Sequence, residues 1–97
     1  MPDPRSRVPT AALPAGALVA EGLADLARGT ESVAALLVSI GAPRLSSLGV
    51  AVPRPIPEPE RRLYEFLAGQ DPDAAHSRYN AYVRRLVSFE RALACER

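Results

Sequence analysis

His76, Ser77, Arg78, Tyr79, Asn80 and Tyr82, with Arg84 and Arg85 close behind, form the densest polar cluster of the chain. On a helix His76 and Asn80 are four apart and share a face, with Tyr79 and Val83 beside them. An imidazole placed there could act as a general base or as a metal ligand. Both roles need partners. No second His, no Cys and no carboxylate stands at ligand spacing on that face, and Asp73, three residues earlier, is the one candidate. A surface or capping histidine is the plainer expectation. The single cysteine, Cys95, lies five helical turns from His76 and lacks the adjacent base that activates a thiolate.

The arginines offer a second chemistry. Arg78 and Arg85 are seven apart, as are Arg84 and Arg91, so two neighbouring rows run along one helix. Planar guanidinium forks match phosphate or carboxylate, and these four are the candidate nucleic-acid contacts. Residues 71–97, however, hold five arginines against Asp71, Asp73, Glu90 and Glu96, a net +1. That balance argues against strong phosphate binding.

Other constellations are weak. Arg61 and Glu65 make an i, i+4 pair in the mixed-charge stretch Glu60, Arg61, Arg62, Glu65. Glu21 and Asp25 are four apart with no further residue to mark a site. There is no glycine-rich phosphate loop, no zinc spacing and no internal repeat. Catalytic residues, a metal and a cofactor are therefore not expected.

The chain that must position these groups has 97 residues, enough for one domain. Its net charge of +1 gives no whole-molecule drive towards nucleic acid or membrane. All twelve basic residues are Arg. Aromatic residues make up 5% and Trp is absent, so the core must come from Leu, Val and Ala. Residues 11–20 faintly resemble a signal peptide, but the stretch is short and broken by Pro14 and Gly16, and Asp3 interrupts its basic lead. No run approaches a membrane span. A cytoplasmic protein that does not enter a membrane is expected.

Proline sets the boundaries. Pro2, Pro4, Pro9 and Pro14 mark a flexible tail over 1–13, and Pro53, Pro55, Pro57 and Pro59 a stiff connection over about 53–59, because proline cannot sit inside a helix and expels its predecessor from helical geometry. Residues 14–97 form the α-helical domain. The first helix is expected from about Pro14 to Arg28, with Leu18, Val19, Leu23 and Leu26 inward and Gly29 as its left-handed stop. The second starts at an N-cap Thr30, buries Val33, Leu36, Leu37 and Ile40, and ends at Gly41 and Pro43. A short turn over Arg44 to Leu48 follows. The third helix starts near Pro57 or Glu58, turns Leu63, Phe66 and Leu67 inward, and ends at Gly69.

The fourth has the clearest pattern. Asp71 caps it and Pro72 opens it. Ala75, Tyr79, Tyr82, Leu86, Phe89 and Leu93 then recur in steps of four and three, a heptad seam widened by Val83 and Val87. Residues 72–95 span roughly 36 Å, against about 15–17 Å for either of the two preceding helices. No one of those can cover it, so several pack along it in sequence or a second chain covers part.

These readings converge on an all-α, four-helix domain with the long C-terminal helix as its spine. The matching function is a non-enzymatic protein–protein interaction or dimerisation module, an accessory or regulatory bacterial protein. Tyr79, Tyr82, Leu86, Phe89 and Leu93 would be its interaction seam, and a second copy or another protein its partner. A small nucleic-acid-binding regulator using Arg78, Arg84, Arg85 and Arg91 is the alternative. A pocket centred on His76 and Tyr79 comes third, since the preceding helices supply few convergent polar groups.

Overall fold

A computed structural model describes residues 13–96. They are all-α: α1 Gly16–Ala27, α2 Val33–Ile40, α3 Ala42–Ser47, α4 Pro59–Gln70 and α5 Ala75–Glu96. The short turn expected after Gly41 is itself a helix, α3. Most of the expected flexible tail, residues 1–12, lies outside the described residues. Leu13 does not belong to a tail, being 8% exposed and packed in the core.

Helix α1 starts two residues later than Pro14. The Gly16 N–H closes a turn on the Leu13 carbonyl at 2.8 Å, with Pro14 at its second position and Ala15 left-handed at φ 61°. At the other end Gly29, at φ 74°, makes the expected stop. The Gly29 N–H donates to the Leu26 carbonyl (3.0 Å) and the Thr30 N–H to that of Asp25 (2.8 Å). Thr30 therefore closes α1 and does not cap α2, and Ser32 takes that place. Its hydroxyl oxygen accepts the Ala35 N–H at 3.0 Å.

Helix α2 is the most deeply buried element. Every residue from Ala34 to Ser39 is buried, so the helix is covered all round and not on one stripe. Helices α1, α3, α4 and α5 all pack on it. Close approach is built in at Gly22, where a Cβ would stand 2.3 Å from the Ala34 carbonyl oxygen. Gly41 does the same for α5, where a Cβ would meet Leu86 Cδ1 at 2.9 Å.

Residues 50–58 cross back to α4 with Val50, Val52 and Ile56 against the core. Helix α4 buries Leu63 and Leu67 completely. Phe66 is not inward with them. It is 37% exposed, because it falls about 60–80° round the helix from the Leu63–Leu67 stripe. Gly69 does not end α4, which runs on to Gln70. Arg62 of α4 pairs with Glu31 before α2, and this hydrogen bond and charge hold the guanidinium above its ordinary pKa.

Helix α5 begins at Ala75, not Pro72. Pro72 to Ala74 form a separate turn, held by Asp71, whose Oδ1 accepts the Asp73 N–H and whose carbonyl accepts the Ala74 N–H, both at 3.2 Å. The 22 residues of α5 span about 33 Å. Helices α4 and α2 both pack against it. No helix among the described residues is long and apolar enough to cross a membrane.

Candidate functional site

The heptad residues of α5 meet unequal fates. Ala75 and Phe89 are fully buried and Leu86 is 3% exposed. Tyr79, Tyr82 and Leu93 pack against the core but stay partly open. The seam is thus covered within the chain at Ala75 and at Leu86 and Phe89, and less fully at Tyr79, Tyr82 and Leu93.

Tyr79 lies under α4. Its ring stands 5.9 Å from that of Tyr64, tilted by 58°, within the range of favourable aromatic pairs. Burial, then the Glu60 carboxylate, raise the Tyr79 phenol above its ordinary pKa. Tyr64 itself is 41% exposed. The Tyr79 ring thus serves the α4–α5 contact.

Tyr82, one turn on, has no such aromatic neighbour among the described residues. Beside it lies a shallow, open groove of about 190 Å³ lined by Arg78, Ala81, Tyr82 and Arg85, all from α5. These four follow the i, i+3, i+4, i+7 spacing, one continuous stripe of helix surface. Arg85 extends over the Tyr82 ring, with Cζ 5.9 Å from the centroid. Neither Arg78 nor Arg85 has an ion pair among the described residues, whereas Arg28, Arg61 and Arg62 pair with Asp25, Glu58 and Glu31.

The two arginine rows do not share a surface. Arg84 is six residues from Arg78, and Arg91 six from Arg85, which turns each about 120° round the helix from its counterpart. Arg78 and Arg85 line the groove, while Arg84 and Arg91 are exposed on another side.

His76 is exposed, and its Nε2 meets the Asn80 amide nitrogen at 3.2 Å, the same-face pair that their spacing predicts. No hydrogen bond or ion pair joins Asp73 to it among the described residues. Cys95 is exposed near the C-terminal end of α5. No group of three or more His, Cys, Asp or Glu among the described residues could hold a metal. Of the pair Glu21 and Asp25, the second is structural. Asp25 is 6% exposed, accepts the Ser32 hydroxyl at 2.7 Å and pairs with Arg28. It ties the end of α1 to the cap of α2.

The groove was the feature that residue types alone did not reveal. Arg78, Tyr82 and Arg85 are legible as neighbours from spacing. That Tyr82 stays partly open is a matter of tertiary packing, which spacing along α5 does not contain. No protein-family model, no curated protein and no solved structure matches the chain.

Proposed function

We propose that this chain is a non-enzymatic protein-interaction module, and that the α5 stripe around Tyr82 is its binding surface. One observation carries the reading. Tyr82 falls in the heptad seam between fully buried Ala75 and nearly buried Leu86, yet it borders an open groove that no other helix of the described residues fills. An aromatic ring with a polar tip, flanked by arginines and a small residue, has the composition of an interface centre. The other clusters support no chemistry. His76 has an amide as its partner, and Cys95 has no hydrogen-bonded base among the described residues.

The alternative, a nucleic-acid regulator, draws on the unpaired Arg78, Arg84, Arg85 and Arg91. Their separation by about 120° leaves two guanidiniums for any one surface, too few for a strong polyanion interaction.

The test places a photo-crosslinking amino acid at Ala81 in the cell of origin, with Arg84 as the control position. The module reading expects a discrete adduct from position 81, lost when Tyr82 becomes Ala, and none from position 84. Equal labelling from both positions, or none from 81, would sink it.

A further inference from the structure

We infer that the groove of α5 receives an acidic amphipathic helix of another protein, one that presents two carboxylates seven residues apart with small or aliphatic side chains between. The inference rests on the interaction-module reading and names the class of partner.

Charge argues first. Arg78 and Arg85 are the groove's two charged residues, and neither has a carboxylate within the described chain. Both are partly or fully exposed, and a guanidinium that must lose water on contact needs a carboxylate in return. Its planar fork takes a carboxylate with two parallel hydrogen bonds.

Spacing argues next. Seven residues of helix set Arg78 and Arg85 about 10.5 Å apart along the axis. A partner helix lying alongside, at a shallow crossing angle, repeats at the same rise, so carboxylates at its own i and i+7 meet both guanidiniums. Between them the floor is Ala81 and the ring of Tyr82. Alanine lets a second backbone approach closely, and the ring offers apolar area to a Leu or Ala.

Other occupants fit less well. A second copy would dock about a two-fold axis near Ala81 and Tyr82, which sets the Arg78 of each copy against the Arg85 of the other. Four guanidiniums would then meet with no carboxylate among them. Residues 1–12 carry Arg5 and Arg7 against Asp3 alone, the wrong sign for this groove. A polyanion would match the two arginines but leave the apolar floor unused, and Arg84 and Arg91 face elsewhere.

The test is a selection. The full chain is immobilised and panned with a displayed library of single helices randomised over three turns. Recovered helices should be enriched in Asp or Glu pairs seven residues apart. Their affinity should fall about tenfold or more for Arg78→Gln/Arg85→Gln, the scale of one or two charge-assisted contacts. The control Arg84→Gln/Arg91→Gln should bind as the unaltered chain does. Recovered helices without a carboxylate excess, or with equal affinity for Arg78→Gln/Arg85→Gln, overturn the acidic occupant. If such carboxylate-poor helices are still blocked by Ala81→Glu, the groove remains a docking surface and only the partner's chemistry is wrong. If nothing recovered is blocked by Ala81→Glu, the module reading falls as well. A dimer tightened by Arg78→Gln/Arg85→Gln, or retention on random-sequence DNA or RNA lost in that variant, would hand the groove to a second copy or to nucleic acid.

Discussion

The Ile56 N–H donates to the Ser39 hydroxyl at 2.9 Å, joining the proline-rich connection to the centre of α2. Between Pro53 and Pro59 every second residue lacks an N–H, so Arg54, Ile56 and Glu58 hold the only backbone donors there. One of the three reaches a buried hydroxyl, which itself donates to the Ala35 carbonyl at 2.8 Å. The other two stand left-handed, Arg54 at φ 43° and Glu58 at φ 51°, each before a proline. Such backbone is costly for residues with a Cβ, so the connection needs the anchor at its middle. Ser39→Ala leaves the Ile56 amide without its acceptor and should lower unfolding free energy by about 1–3 kcal/mol in urea. A loss under about 0.5 kcal/mol would mean that water replaces the hydroxyl at little cost.

Two glycine substitutions should move stability in opposite directions. At Gly22 a Cβ would strike the Ala34 carbonyl oxygen at 2.3 Å, and backbone cannot yield as a side chain does. Gly22→Ala forces α1 off α2 and should cost about 1–3 kcal/mol or more. At Gly69, inside α4, nothing lies within 4 Å. Gly69→Ala should therefore gain about 0.5–1 kcal/mol by helix propensity. Thermal denaturation of both variants checks the pair, and a stabilised Gly22→Ala would contradict the close α1–α2 crossing.

Glu90 gives the fold a pH dependence of defined sign. Burial raises its pKa above the ordinary 4.5, and Arg44 lowers it by less. The group binds its proton more tightly folded than unfolded. Its contribution to stability is therefore fully present below the unfolded value and is lost as pH rises through the folded one. At neutral pH the half-buried carboxylate is a net burden. Glu90→Gln should raise the melting temperature at neutral pH, and the gain should vanish once the pH falls below the ordinary carboxylate range. A gain that persists in acid would place its cause outside ionisation.

What could be read from the residues, and what could not, divides along physical lines. The all-α class and the number of long helices followed from proline placement and apolar spacing, both local signals. Gly29 was legible as a stop because its role needs only its own backbone. Thr30 and Ser32 are both good caps, and the choice between them is made by the Thr30 N–H, already used to close α1. Asp71 caps a turn and not α5, since three residues intervene before helical bonding begins. Phe66 sits between Leu63 and Leu67 in composition but not in azimuth. The groove beside Tyr82 depends on how the other helices pack against α5, a tertiary fact that heptad spacing does not contain.

The last prediction concerns the chain alone in solution. Leu86 packs beside Gly41 and Phe89 is fully enclosed, so this part of the seam is spent within the chain. Leu86→Asp should consequently unfold the protein, because an unpaired carboxylate would enter a dry core. Tyr82 stays partly open in that seam, and the arginines beside it repel a second copy set against it. Light scattering behind a sizing column should therefore return 10.4 kDa across a concentration series. Reductant must be present, since exposed Cys95 can otherwise couple two chains. A mass that doubles with concentration under reductant would mean that another α5 covers the seam despite the like charges. In that case Arg78→Gln/Arg85→Gln should tighten the dimer if it forms through the groove, and leave it unchanged if it forms through the exposed Tyr64 and Phe66 of α4.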